Sequence, residues 1–184
     1  MTTTHKHSFS SVLSILGVIL LAAIFTGCEK KGQAEFEQGQ AAIVAQDYKT
    51  AITQFALAAN KGHAEAQYQI GVCYTGGKGV KRDLSEAVKW YRKAAEQGFA
   101  DAQYILGLCY ENGEGVTKNL SEAVKWYRKA AEQGFADAQL NLGHCYYNGE
   151  GVTKDLYEAV KWYRMAAGQG YARAKAALER LNEN

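Results

Sequence analysis

The sequence predicts an all-α fold, an α/α solenoid (superhelix) of stacked helix pairs, and three observations carry that prediction. Trp90, Trp126 and Trp162 recur every 36 residues. Residues 84–103 and 120–139 are identical letter for letter. The 184 residues include no proline, which suits a mostly helical chain. A fixed period of this length marks one supersecondary unit that cannot bury its apolar side alone and buries it against the next copy.

Residues 1–27 read as a segment outside that fold. His5-Lys6-His7 make a weakly basic start, Val12 to Phe25 form an apolar run broken by Ser14 and Gly17, and small Thr26 and Gly27 lead to Cys28. That order is the layout of an export signal peptide. The run is shorter than the roughly 20 residues a helix needs to cross a bilayer. Phe25-Thr26-Gly27-Cys28 resembles a bacterial lipobox, with Phe where Leu is usual. The resemblance implies cleavage before Cys28 and its lipidation, leaving residues 28–32 as a lipidated tether. Each buried acyl CH₂ would add about 0.8 kcal/mol of membrane affinity. Glu29, where an Asp resembles an inner-membrane retention signal, points to the periplasmic face of the outer membrane. A secreted or periplasmic soluble protein is the alternative.

The solenoid is expected over residues 33–184. Residues 33–63 form a shorter opening unit, in which Gly39, Asp47, Ala51, Phe55 and Gly62 match Gly71, Asp83, Ala87, Tyr91 and Gly98. Full units follow at 64–99, 100–135 and 136–171. In the first helix of each, apolar residues such as Ala66, Ile70 and Cys73 fall at i, i+4 and i+7 on one face. The pairs Gly77/Gly79, Gly113/Gly115 and Gly149/Gly151 end that helix and turn the chain. The second helix opens on Asp83, Asn119 or Asp155 with Glu three residues on, the signature of a capping box. Ala87, Val88, Tyr91, Ala94 and Ala95 then make its buried stripe. Residues 172–184 restart a first helix, but Glu179 replaces the packing Gly and Asn182 the Tyr, as in a solubilising cap. The expected stack holds about three and a half helix pairs.

The set Ala-x-Ala…Leu-Gly-x-x-Tyr…Gly-x-Gly-Val…Asp/Asn-x-x-x-Ala-x-x-Trp…Ala-Ala…Gly is present in all three full units, with Ile70 for Leu in the first. These units resemble the Sel1-like repeat, a relative of the tetratricopeptide repeat. The resemblance implies an adaptor or scaffold for protein complexes, without enzymatic activity, of a kind frequent in bacterial envelope proteins. It also implies that the first helices line a concave wall. Mapped onto this sequence, that wall comprises Glu65, Tyr68, Val72 and Thr75; Asp101, Tyr104, Leu108 and Glu111; and Asp137, Leu140, His144 and Tyr147. Aromatic anchors among acids would suit a peptide segment or helix of another protein. A weak β-lactam- or cell-wall-ligand-binding or hydrolysing protein, as associated with cysteine-rich relatives, is the alternative.

Other constellations have simpler explanations. Cys73, Cys109 and Cys145 share one register. Equivalent points on packed helices lie about 8–10 Å apart, beyond the 4.4–6.8 Å Cα reach of a disulfide, so the expectation is buried thiols. No metal or cofactor site is expected, since only His63 and His144 could join the cysteines. The repeated Gly-x-Gly follows a helix rather than a strand, which excludes a nucleotide fingerprint. Lys89, Arg92 and Lys93 are interspersed with Glu86 and Glu96 and read as a solvated helix face. A net charge of +2 gives no case for nucleic acid. Ser85 and Ser121 lack any acylation motif.

Overall fold

The computed structural model describes residues 31–182. The export-signal segment 1–27, the lipidation site Cys28, most of the tether and residues 183–184 lie outside them. The described residues form nine helices and no strand: α1 (Gln33–Val44), α2 (Tyr48–Asn60), α3 (Ala64–Gly76), α4 (Leu84–Glu96), α5 (Ala100–Asn112), α6 (Leu120–Glu132), α7 (Ala136–Asn148), α8 (Leu156–Gly168) and α9 (Ala172–Asn182). Each helix packs chiefly on its neighbours in sequence, which makes the chain an α/α solenoid. The described residues hold four complete pairs and a ninth helix; the expected three and a half left out the opening unit, which forms a helix pair without the glycine-rich insert, as its matching positions imply.

Helix starts follow local chemistry. The side chains of Asp47, Asp83, Asn119 and Asp155 accept hydrogen bonds from the backbone N–H groups of Thr50, Glu86, Glu122 and Glu158, which satisfies donors that a helix start leaves open. The glutamates do not complete the capping box. The N–H of Asp83 already donates to the Tyr74 carbonyl at 3.0 Å, and Asn119 and Asp155 do likewise to Tyr110 and Tyr146. Glu86, Glu122 and Glu158 turn instead to Lys89, Lys125 and Lys161. The first helix α3 has a different cap: His63 accepts the Ala66 N–H on Nδ1 at 3.2 Å, while its Nε2 lies 3.2 Å from Gln33 Oε1. Its ring stacks on buried Phe36 at 4.5 Å.

Within each pair, an aromatic ring of the second helix lies on a glycine of the first. A Cβ at Gly39, Gly71, Gly107 or Gly143 would stand 2.5 Å from the ring of Phe55, Tyr91, Tyr127 or Tyr163. Those four rings are buried, and alanines such as Ala51, Ala87, Ala123 and Ala159 fill the remaining gap between the helices. The core therefore runs the length of the stack.

Between pairs, three repeated contacts fix the register. Buried Gln67, Gln103 and Gln139 donate to the carbonyls of Ala59, Ala95 and Ala131, at the C-terminal end of the preceding second helix. Their carbonyls accept from Gln97, Gln133 and Gln169 at 2.7–2.9 Å. Arg92 and Arg128 donate to the hydroxyls of Tyr110 and Tyr146 in the following pair. That corrects the reading of Arg92 as merely solvated: its guanidinium reaches across to the next unit because its neighbour there offers a phenol. Lastly, Gly115 and Gly151, at φ +68° and +70°, press on the backbone of Leu84 and Leu120, where any side chain would collide.

The tryptophans occupy like positions. Lys93 lies 3.7 Å from the Trp90 ring centre and Lys129 4.0 Å from that of Trp126. At Trp162 the lysine is replaced by Met165, and Lys161 stands 5.4 Å away instead. The indole N–H of Trp162 donates to Glu158, whereas those of Trp90 and Trp126 are buried without a partner.

An alanine in place of a helix-interior glycine ordinarily gains about 1 kcal/mol. Gly107→Ala should reverse that sign, because its methyl meets the Tyr127 ring; overpacking of this kind costs about 1–3 kcal/mol. Urea unfolding checks the sign, and a neutral or more stable variant would show that the ring moves aside freely.

Candidate functional site

The twelve candidate residues lie on α3, α5 and α7 in four registers, spaced at i, i+3, i+7 and i+10 so that each helix presents them along one side. At the first register, Glu65 and Asp101 are in no hydrogen bond or ion pair among the described residues, and both are partly exposed. Asp137 differs: it accepts a 2.6 Å hydrogen bond from the Tyr171 hydroxyl.

The second register holds two braced aromatic rings. Tyr68 lies 5.7 Å from Tyr91 and 5.4 Å from Phe99, and Tyr104 lies 5.9 Å from Tyr127 and 5.1 Å from Phe135. Both are partly exposed. Burial, and then the carboxylate of Asp101 for Tyr68 and Asp137 for Tyr104, raises their phenol pKa. The third member, Leu140, was expected on the same wall but is only 5% exposed and belongs to the core. Leucine lacks the polar end that holds a tyrosine tip at the surface, and its shorter side chain withdraws.

The third and fourth registers serve the buried tyrosines. Thr75 donates to the Gly71 carbonyl and takes the Tyr91 hydroxyl at 3.0 Å. Glu111 accepts from the Tyr127 hydroxyl. In α7 the fourth register is Tyr147, and the Tyr163 hydroxyl finds His144 Nδ1 at 2.9 Å instead. Burial pushes the Tyr91 and Tyr163 phenols up to about 12. Tyr127 is raised as well, by burial and then by the Glu111 carboxylate. His144 is held below its ordinary value by burial and then by Arg180. Val72 and Leu108 are partly buried and packed on the core. Tyr147 is exposed, with Lys154 5.4 Å from its ring centre.

The structure thus divides the candidates. Glu65, Tyr68, Asp101, Tyr104 and Tyr147 present groups to solvent, whereas Thr75, Glu111, Asp137 and His144 are engaged by tyrosine hydroxyls and Leu140 is buried. His144, Tyr147, Tyr163 and Arg180 also meet around a cavity of ≈250 Å³ beside α9. Sequence reasoning missed the glutamine ladder, although an unchanging Gln beside the apolar stripe of every full unit was its visible signal.

Ser85 and Ser121 are exposed in the first turns of α4 and α6. Among the described residues, no cluster of three or more His, Cys, Asp or Glu could hold a metal ion. No helix among them is long and apolar enough to cross a membrane. Cys73, Cys109 and Cys145 are buried free thiols. Burial raises all three, Cys109 to about 11 and Cys145 to about 12.

A family model for the Sel1 repeat matches residues 32–63, 64–99, 100–135 and 136–171. Among solved structures, a Sel1 repeat protein from Oxalobacter formigenes is 45% identical with a TM-score of 0.74, over 77% of this chain and 58% of its own. A protective antigen present in uropathogenic Escherichia coli strains, displaying an SLR fold, is 39% identical with a TM-score of 0.76, over 79% of this chain and 32% of its own. The chain therefore spans just over half of the first protein and about a third of the second. Cysteine rich protein B of Helicobacter pylori is 26% identical with a TM-score of 0.56, over 70% of this chain and 96% of its own. No curated protein matches the chain.

Because only a thiolate reacts readily, Cys73, Cys109 and Cys145 should resist a bulky maleimide until denaturant is added. Mass spectrometry after native labelling checks this, and rapid modification of any of the three would contradict their burial.

Proposed function

This chain belongs to the Sel1 repeat family, and from that premise we propose that it is an envelope-anchored adaptor whose first helices hold a basic peptide segment or helix of another protein. Sel1 repeat solenoids commonly serve as protein-interaction scaffolds and are generally non-catalytic. One observation carries the finer reading: the uncommitted carboxylates of Glu65 and Asp101 stand one helical turn from the braced rings of Tyr68 and Tyr104. Rings already fixed by their neighbours lose little freedom on binding, and half-buried tyrosines are typical anchors. Free carboxylates beside them select for positive charge and speed encounter more than they add affinity.

The anchoring half of the proposal rests on the signal-like segment and on Cys28. A lipid on Cys28 would hold the solenoid at the membrane through a tether of a few residues, with its binding face in the adjoining compartment.

Two experiments test these halves separately. A protein captured from envelope extract by the full chain is identified and titrated. Glu65→Gln with Asp101→Asn should weaken it about 10-fold and flatten its salt dependence, and Tyr104→Ala should weaken it at least as much. Lys125→Ala, on a second helix, should leave it unchanged. Equal affinity for all variants would contradict the assigned face. Separately, Cys28→Ala should move the protein from the membrane fraction to the soluble one, and unchanged membrane association defeats the anchor.

A further inference from the structure

Leu156 and Val160 of α8 are more exposed than their counterparts, Leu84 and Val88 in α4 and Leu120 and Val124 in α6. In the inner pairs the loop that follows the next first helix lies over those counterparts: Gly115 rests on Leu84 and Gly151 on Leu120, with Val116 and Val152 packed behind them. Leu84 and Leu120 are partly buried, and Val88 and Val124 are buried. Leu156 is 47% exposed and Val160 is only partly buried. Among the described residues no further pair closes over them, and Glu179 of α9 stands in the register of Gly71, Gly107 and Gly143.

The sequence of α8 has changed to match. It departs from the identical α4 and α6 at three positions, with Tyr157 for serine, Met165 for lysine and Gly168 for glutamate. The exchanges put a phenol ring and a thioether where α4 and α6 carry a small hydroxyl and an ammonium, and remove a carboxylate. All fall with Lys161 and Arg164 on one stripe, which is exposed in α4 and α6 as well. Tyr157 is 79% and Met165 42% exposed. Gly168 serves no purpose inside the chain: a side chain there would meet nothing, and its backbone is not left-handed. A glycine kept in a helix without an internal reason fits close approach from outside.

One pairing is also left incomplete. Arg92 and Arg128 each donate to a tyrosine of the next unit, Tyr110 and Tyr146. Arg164 is the third of the series, and Asn182 stands where its tyrosine would be. Tyr157 lies two turns from Arg164 on the same stripe, about 10 Å along the axis.

We infer that this face pairs with the same face of a second copy, α8 against α8, antiparallel about a two-fold axis beside Val160. An isologous contact requires a patch that complements itself. This one does: with the axis midway between them, Tyr157 of each copy meets Arg164 of the other, and the Arg–Tyr contact used inside the stack is made twice more. Val160 faces Val160 at the axis, Lys161 is already neutralised by Glu158, and Gly168 admits the neighbouring backbone. The interface continues the repeat-to-repeat packing across the symmetry axis.

Sedimentation equilibrium of the full chain in mild detergent tests this. The unaltered chain should sediment at twice its mass. A variant restoring the inner-repeat residues, Tyr157→Ser with Met165→Lys and Gly168→Glu, should sediment at its single mass with its helical circular dichroism retained. Val160→Cys should give a disulfide-linked dimer on mild oxidation, whereas Ser121→Cys, at the register of Tyr157 in an inner pair, should not. A monomeric unaltered chain, a triple variant that stays dimeric, or Val160→Cys cross-linking no better than Ser121→Cys would each overturn the inference.

Discussion

A ring laid on a glycine closes each helix pair, and most of what is distinctive about this chain follows from that contact. The four glycines Gly39, Gly71, Gly107 and Gly143 allow the helices to approach until the rings of Phe55, Tyr91, Tyr127 and Tyr163 fill the gap. Three of those rings carry a hydroxyl, and a buried hydroxyl without a partner costs about 1–3 kcal/mol. Each therefore finds a partner on the first helix close to the glycine it lies on, in Thr75, Glu111 or His144. The core thereby decides which residues of the candidate face remain free for a partner. Phe55, which has no hydroxyl, makes no such demand on α1.

The same economy joins one pair to the next. Near the end of each second helix the carbonyls of Ala59, Ala95 and Ala131 already accept the N–H of Gly62, Gly98 and Gly134, and Gln67, Gln103 and Gln139 add a second donor from the following unit. A net gain of about 1 kcal/mol per hydrogen bond is modest. The larger effect is on register, because a slipped stack would leave a buried amide unsatisfied. In α9 the pattern changes: Lys175 stands in the glutamine register and Glu179 in the glycine register.

The period of 36, the apolar stripes and the Asx caps were legible because each is a local pattern, repeated three times, whose spacing maps directly onto helix geometry. What stayed hidden lies across the gap between helices. Spacing places Thr75, Glu111 and His144 on one side of their helices, but it does not say that a tyrosine 16 to 19 residues on will claim them. Leu140 matched Tyr68 and Tyr104 in register yet sank into the core, since register fixes direction and not depth. Glu86 matched a capping box, but the donor it would have served was already bound by the carbonyl of Tyr74. Arg92 looked solvated because its partner Tyr110 belongs to the next repeat.

A stack sealed in this way couples each pair to its neighbours, as a one-dimensional array does. Hydrogen exchange of the full chain, with and without Tyr127→Ala, measures that coupling directly. Losing one central ring should speed exchange throughout α4, α5, α6 and α7, with the effect fading toward α1 and α9. Faster exchange confined to α5 and α6 would contradict the account, because it would mean that each pair closes on its own.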